Sequence, residues 1–185
     1  VPESSGMTED DVFTDYLNFR KFEDRMYKDM NDYLSPGDYG FIASMCDEGN
    51  VSEEWGLMPI VQSGAWLDGY SKGLPQFSGV WNSWQSIRIA NLCIQKLSLL
   101  KNGTQQQENE IKGQANFMRA WYYYEFLRRE GGMPYITKAL SGSDEFGIPR
   151  LSFHETALKI VADCDSAAAL LPQKWDNANI GRPTR

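Results

Sequence analysis

The stretch Ile111 to Pro134, IKGQANFMRAWYYYEFLRREGGMP, constrains the fold more tightly than any other part of the chain. Ile111, Ala115, Met118, Tyr122 and Phe126 recur at intervals of four and three, the spacing of one face of an α-helix. Phe117, Trp121, Tyr124 and Leu127 form a second apolar stripe beside the first. A helix apolar on most of its circumference must be enclosed by other helices. Arg119 and Glu125 interrupt the wrap, and a charge on a buried helix needs a partner. Arg128 and Arg129 follow Glu125 by three and four residues, so they are placed to supply one. Gly131 and Gly132 stop the helix at its C-cap, and Pro134 prevents its resumption. The stretch therefore predicts a central core helix.

Length and charge set limits around it. A chain of 185 residues and 21.1 kDa suits a single domain over 1–185. At that size ~70% of the unfolded chain's surface can be buried. A net charge of −7 disfavours nucleic acid and anionic membrane as partners. No run of 18 apolar residues is present, so no segment reads as a membrane-spanning helix. Val1 opens the chain without a basic and then apolar leader, so any export signal is expected to have been removed already. Cys46, Cys93 and Cys164 have no paired spacing; Cys93 and Cys164 lie among apolar helical residues and are expected to be small buried hydrophobes. His154 is the single histidine, which excludes multi-histidine metal sites and leaves little room for a nucleophilic triad. No metal or cofactor is expected.

Thr8 to Asp11 has the form of an N-cap followed by first-turn acids. Val12, Tyr16, Phe19, Glu23, Met26, Met30 and Tyr33 then follow helical spacing, as one long amphipathic helix or two short ones in line with Asn18 capping the second. Ser35-Pro36-Gly37-Asp38 ends this segment. From Ser35 to Gly79 the chain changes character. Eight glycines fall here and no period persists, apart from a short helical piece at Phe41 to Cys46. Trp55, Trp66, Tyr70 and Phe77 are interleaved with acids and Lys72. Disordered segments are poor in aromatics, and long loops in compact domains are usually functional. This span, 35–79, is expected to be an ordered loop insertion that carries a binding surface.

Gly79 to Gly103 returns to helical spacing through Trp84, Ile87, Asn91, Ile94 and Leu97, with Asn91 and Arg88 as internal hydrogen-bonding groups. Thr104 to Glu110 reads as a short polar link, which makes this helix and the central one antiparallel neighbours. Tyr135 to Thr137 has the character of a brief extended piece, and Ser141 to Gly147 of a loop. Ser152 and Glu155 then form a capping box, with His154 inside it. The helix it starts is expected to bury Phe153, Ala157, Ile160, Val161, Cys164, Ala168 and Leu171, and to end at Pro172. Trp175 to Arg185 carries no folding signal. The reading is all-α: helical pairs with one long Gly/Trp-rich loop. Ala120, Tyr124 and Pro134 resemble the small-aromatic-proline order of a tetratricopeptide helix, with the proline two places late.

Three segments carry a more specific resemblance. WNSWQSIRIANLCIQKL (Trp81 to Leu97), GQANFMRAWYYYEFLRREGGMPYIT (Gly113 to Thr137) and IPRLSFHETALKIVADCDSAAALLP (Ile148 to Pro172) resemble, in this order, the SusD/RagB family of outer-membrane nutrient-binding lipoproteins. Arg119-Ala120, the aromatic run, Gly132-x-Pro134, Pro149-Arg150 and Leu170-Leu171-Pro172 carry the likeness. The resemblance implies tetratricopeptide-like units supporting a glycan face built from loops. It also implies that oligosaccharide or another nutrient is handed to a SusC-like TonB-dependent transporter as partner, and a lipid anchor at the cell surface whose cysteine this chain does not include. On this resemblance the chain is expected to be the N-terminal part of a longer protein.

Sugar recognition asks for an aromatic face against C–H groups and polar side chains around the hydroxyls. Trp55, Trp66 and Tyr70 are the expected stacking residues, and Asp68, Lys72 and Asp47 the hydrogen-bonding ones. Trp81, Trp84 and Tyr122 to Tyr124 fall at helical spacing and are expected to pack in the core. Two rival readings remain: a helical-repeat module that binds protein, and a glycoside hydrolase using two of the many carboxylates, although no pair has a recommending spacing.

Overall fold

The computed structural model describes residues 9–30, 47–49 and 75–185, whose regular elements are all helices, with no strand among them. The chain divides into two compact units, one made of 1–28 and 84–185 and the other of 29–83.

The chain opens with α1 (Glu9–Thr14) and α2 (Tyr16–Glu23), followed by a 3-10 segment, Asp24–Asp29. Two short helices are thus what forms, broken at Asp15 rather than running on in line, and the cap lies three residues before the expected Asn18. Asp15 has extended backbone (φ −108, ψ 129), and its carboxylate accepts the Asn18 N–H at 3.0 Å. Phe13 meets the rings of Phe19 and Phe22 edge-on at centroid distances of 5.1 and 5.0 Å. Phe19, Glu23 and Met26 are fully buried.

Helix α3 (Pro75–Lys96) starts four residues before Gly79, so positions 75–79 are helical rather than loop. It passes into a 3-10 turn at Leu97–Leu99, and the stop falls ahead of the expected Asn102-Gly103. Asn102 instead ties the α1–α2 junction, accepting from the Tyr16 N–H at 2.7 Å and donating to the Asp15 carboxylate at 2.8 Å.

The central helix α4 (Gln105–Glu130) is longer than its apolar stripe. Thr104 and Gln107 form a reciprocal capping box, which converts the expected polar link at 104–110 into the first turns of the helix. Gly131 closes it in the left-handed region (φ 78). At Gly132 a Cβ would lie 2.1 Å from the Leu151 carbonyl oxygen, so only glycine fits where this chain crosses the start of the next helix. Trp84 meets Phe126, and further along α3 Asn91 meets Arg119, so α3 and α4 run antiparallel.

Helix α5 (Phe153–Leu170) begins at the predicted Ser152–Glu155 capping box. It also runs antiparallel to α4: Asp163 meets Arg119, and Leu171 fills the space left by Gly113. Its inward face differs from the expected one. The buried positions are Thr156, Ile160, Asp163 and Ala167, with Leu171 at the C-cap. Phe153 (60%), Leu158 (55%) and Val161 (54%) are exposed, as are Cys164 and Ala168, while Cys93 on α3 is buried as expected. The reason is polar: Asp163 is turned in to meet Arg119, and this sets the rotation of the whole helix.

The segment after α5, without a folding signal in the sequence, is fastened to the body. Trp175 packs with Ala167, Leu171 and Phe117, and its indole N–H donates to the Pro183 carbonyl at 2.7 Å. Arg182 pairs with Asp24 at 2.7 Å and donates to Gln114 Oε1 at 2.9 Å.

Candidate functional site

Of the residues expected to contact ligand, Trp55, Trp66, Asp68, Tyr70 and Lys72 lie outside the described residues, as does the short helix expected at 41–46. Asp47 stands with Glu48 on an exposed turn at 47–49. Trp84 behaves as a packing residue: it is half-buried, with its ring 4.7 Å from Phe126 and edge-on to Tyr123 at 6.0 Å. Tyr122 and Tyr123 are buried as expected, whereas Tyr124 is 48% exposed.

What the described residues display is a helical frame with a buried polar cluster. Arg119 sits at its centre, buried on α4. Its Nε and Nη2 each donate to Asp163 at 2.6 Å, a bidentate fork. Nη1 reaches Asn91 Oδ1 at 2.8 Å and Nη2 also reaches Asn116 Oδ1 at 3.3 Å. Burial works against the guanidinium's charge, but the hydrogen bonds and charge of Asp163 outweigh it and hold the pKa above its ordinary value. The Tyr135 hydroxyl donates to Asp163 Oδ2 at 2.7 Å; burial and then the Asp163 charge push that phenol upward, so it stays protonated.

The same cluster anchors the irregular chain that follows α4. Asn91 Nδ2 donates to the carbonyls of Ile136 at 3.0 Å and Lys138 at 3.3 Å. The Tyr123 hydroxyl accepts from the Ile136 N–H at 2.7 Å and donates to the Pro134 carbonyl at 3.1 Å, with its ring stacked on Tyr135 at 3.9 Å. Arg88 donates to the Leu140 carbonyl, and Arg150 reaches back to the carbonyls of Glu130 and Gly132. A shallow groove of 140 Å³ remains between α3 and this segment, lined by Trp84, Arg88, Asn91, Ile136, Lys138 and Leu140. At that volume it falls well below the ~300 Å³ of an ordinary small-molecule pocket.

Asn91 and Arg119 were readable as polar breaks in apolar stripes, and Glu125 takes Arg128 (3.1 Å) and Arg129 as its expected partners. Asp163 was missed as the partner of Arg119. The available signal was its position seven residues after Thr156 and four before Ala167, which puts it on one helix face with Ile160. Among the described residues no group of His, Cys, Asp and Glu is arranged to hold a metal, and no helix is long and apolar enough to cross a membrane. His154 is exposed in the first turn of α5.

Comparison with known proteins follows the same lines. The SusD-like family described as starch-binding and associating with the outer membrane matches residues 51–185. SusD-like protein P2 of Formosa agariphila is 33% identical over 97 residues, which are 51% of this chain and 19% of that protein. A SusD-like protein from Bacteroides fragilis superposes with a TM-score of 0.72 at 20% identity, over 96% of this chain and 34% of its own. A SusD-like carbohydrate binding protein from Bacteroides vulgatus gives 0.67 at 18% identity, over 92% and 38%. The chain thus spans well under half the length of each of these relatives. With its helices, their order and its residues all in agreement, the chain belongs to the SusD-like family.

Proposed function

We propose that the protein captures glycan at the cell surface without transforming it and passes it to a SusC-like TonB-dependent transporter. The observation that carries this reading is the family match over 51–185, which takes in Trp55, Trp66, Asp68, Tyr70 and Lys72 together with the helical frame. In this reading Trp55, Trp66 and Tyr70 stack on sugar rings, while Asp68, Lys72 and Asp47 bond the hydroxyls. The frame's part is to hold its loops still, which lowers the ordering cost of weak binding. A lipid anchor would hold it at the outer membrane.

Calorimetry of the intact protein against soluble starch and a panel of other polysaccharides tests the proposal. Saturable heat, lost in the Trp66→Ala/Tyr70→Ala variant with an unchanged melting temperature, is the expected result. Sustained release of reducing sugar from the same panel would defeat the non-catalytic reading. Absence of any glycan binding by the intact protein would leave the helical-repeat, protein-binding reading in its place.

A further inference from the structure

We infer that the cleft framed by α2, the start of α4 and the segment after α5 is a second site, built for a small neutral polyhydroxyl ligand of one or two sugar rings. Its volume is 440 Å³. Small-molecule pockets typically fall in the range ~300–1,000 Å³. All of its lining residues belong to the unit formed by 1–28 and 84–185, so the inference does not rest on the reading of the glycine-rich span.

The ligand class follows from the balance of the lining. Arg20 and Lys174 stand against Glu110 and Asp176, two cations and two carboxylates around one space. Neither an anion nor a cation finds a one-sided field there. Hydroxyl groups, which donate and accept at the same atom, match such a lining from every side. Trp175, only 9% exposed, adds a small fixed apolar margin to this polar wall.

The cleft is also pre-organised. Arg20 has a side chain only 12% exposed; it donates to the Tyr16 hydroxyl at 2.5 Å and to Asn179 Oδ1 at 2.8 Å, with Nε 3.3 Å from Glu23. The indole of Trp175 is fixed through Pro183. Some polar ends remain open among the described residues. Gln106 donates to Glu110 at 2.9 Å but its own amide oxygen accepts no hydrogen bond, and Lys174 makes no ion pair. Fixed walls with a few open polar ends lower the cost of binding a small ligand.

The test uses the intact chain labelled with fluorinated tryptophan, with the Trp175 fluorine resonance assigned from Trp175→Phe. Maltose, cellobiose and lactose are titrated separately, and inorganic phosphate serves as the charged control. At least one disaccharide should move the Trp175 resonance saturably at millimolar concentration, and phosphate should not. Lys174→Ala combined with Gln106→Ala should weaken that response about fivefold or more without changing the melting temperature. Trp66→Ala/Tyr70→Ala, aimed at the glycine-rich span, should leave the Trp175 response in place, so failure of one site is distinguishable from failure of the other. No saturable shift with any disaccharide, a shift with phosphate alone, or a shift indifferent to the Lys174/Gln106 substitutions would overturn the inference.

Discussion

Helices α4 and α5 are both apolar at helical spacing, yet one is wrapped and the other is half bare. On α4, Ile111, Ala115, Met118, Tyr122 and Phe126 are all buried, and so are Gln114, Asn116, Arg119 and Glu125 from other faces. On α5 the buried face is a single stripe, half of it polar, while Phe153, Val161 and Cys164 point away from the core. The difference teaches that apolar spacing locates a helix but does not choose its rotation when two stripes compete. On α5 the choice falls to Asp163 and Thr156. An ion such as Arg119 taken out of water requires its counter-ion, which outweighs the gain from burying a valine instead. Thr156 fixes the near end, accepting the Met133 N–H at 3.1 Å and donating to the Ser152 carbonyl at 2.9 Å.

The comparison can be broken most severely at its shared ion pair. Asp163→Ala leaves Arg119 buried with its main partner gone, and should cost about 3–5 kcal/mol in urea unfolding. A loss below about 1 kcal/mol would mean that Asn91 and Asn116 alone satisfy the guanidinium. Next comes the crossing between the two helices. Gly132→Ala forces a Cβ onto the Leu151 carbonyl and should cost about 1–3 kcal/mol by the same measurement.

A third test concerns another buried ionisable group, Glu23 on α2. Burial raises the Glu23 carboxyl well above its ordinary value, opposed by the charges of Arg20 and Arg182 and reinforced by Asp24 and Glu110. Its contribution to stability is fully present below the ordinary carboxylate range and is lost as pH rises through the raised, folded value. Glu23→Gln imitates the protonated form, so its melting temperature should decline less than the parent's across that rise. Parallel profiles for the two proteins would show that Glu23 is ionised in the fold at every pH tested.

The smaller effects sharpen the contrast on α5 itself. Ser152→Ala removes one side of the capping box and should cost about 1 kcal/mol. Val161→Ser, on the bare flank, should stay within ~0.5 kcal/mol, whereas a Val161 packed in the core would give a core-sized loss. Thermal melts of the two variants side by side decide between these rotations.

Much of the frame could be read from residues alone. The central helix, its glycine stop, the Glu125 partners, the Ser152 capping box and the antiparallel α3–α4 pairing all depend on neighbours a few positions apart or on a single short link. The resemblance to SusD-like proteins was likewise carried by local runs of sequence. What escaped were contacts between distant positions: Arg119 with Asp163, Asn102 with Asp15, Arg182 with Asp24. Trp175 to Arg185 looked featureless because its anchors, the Pro183 carbonyl and the Gln114 side chain, belong to no periodic pattern. Of the six expected ligand contacts, Asp47 lies on an exposed turn and the other five fall outside the described residues, so their role stands as the proposal above.

The sequence by itself determined that helices form here, where most of them stop, and to which family the residues have a likeness, because backbone preference and capping act over one turn. Only the tertiary structure decided which face of α5 turns inward, which carboxylate answers Arg119, and how the final residues close a polar cleft against α2. Those outcomes depend on desolvating particular charges against particular partners, and that energy exists only once distant parts of the chain have met.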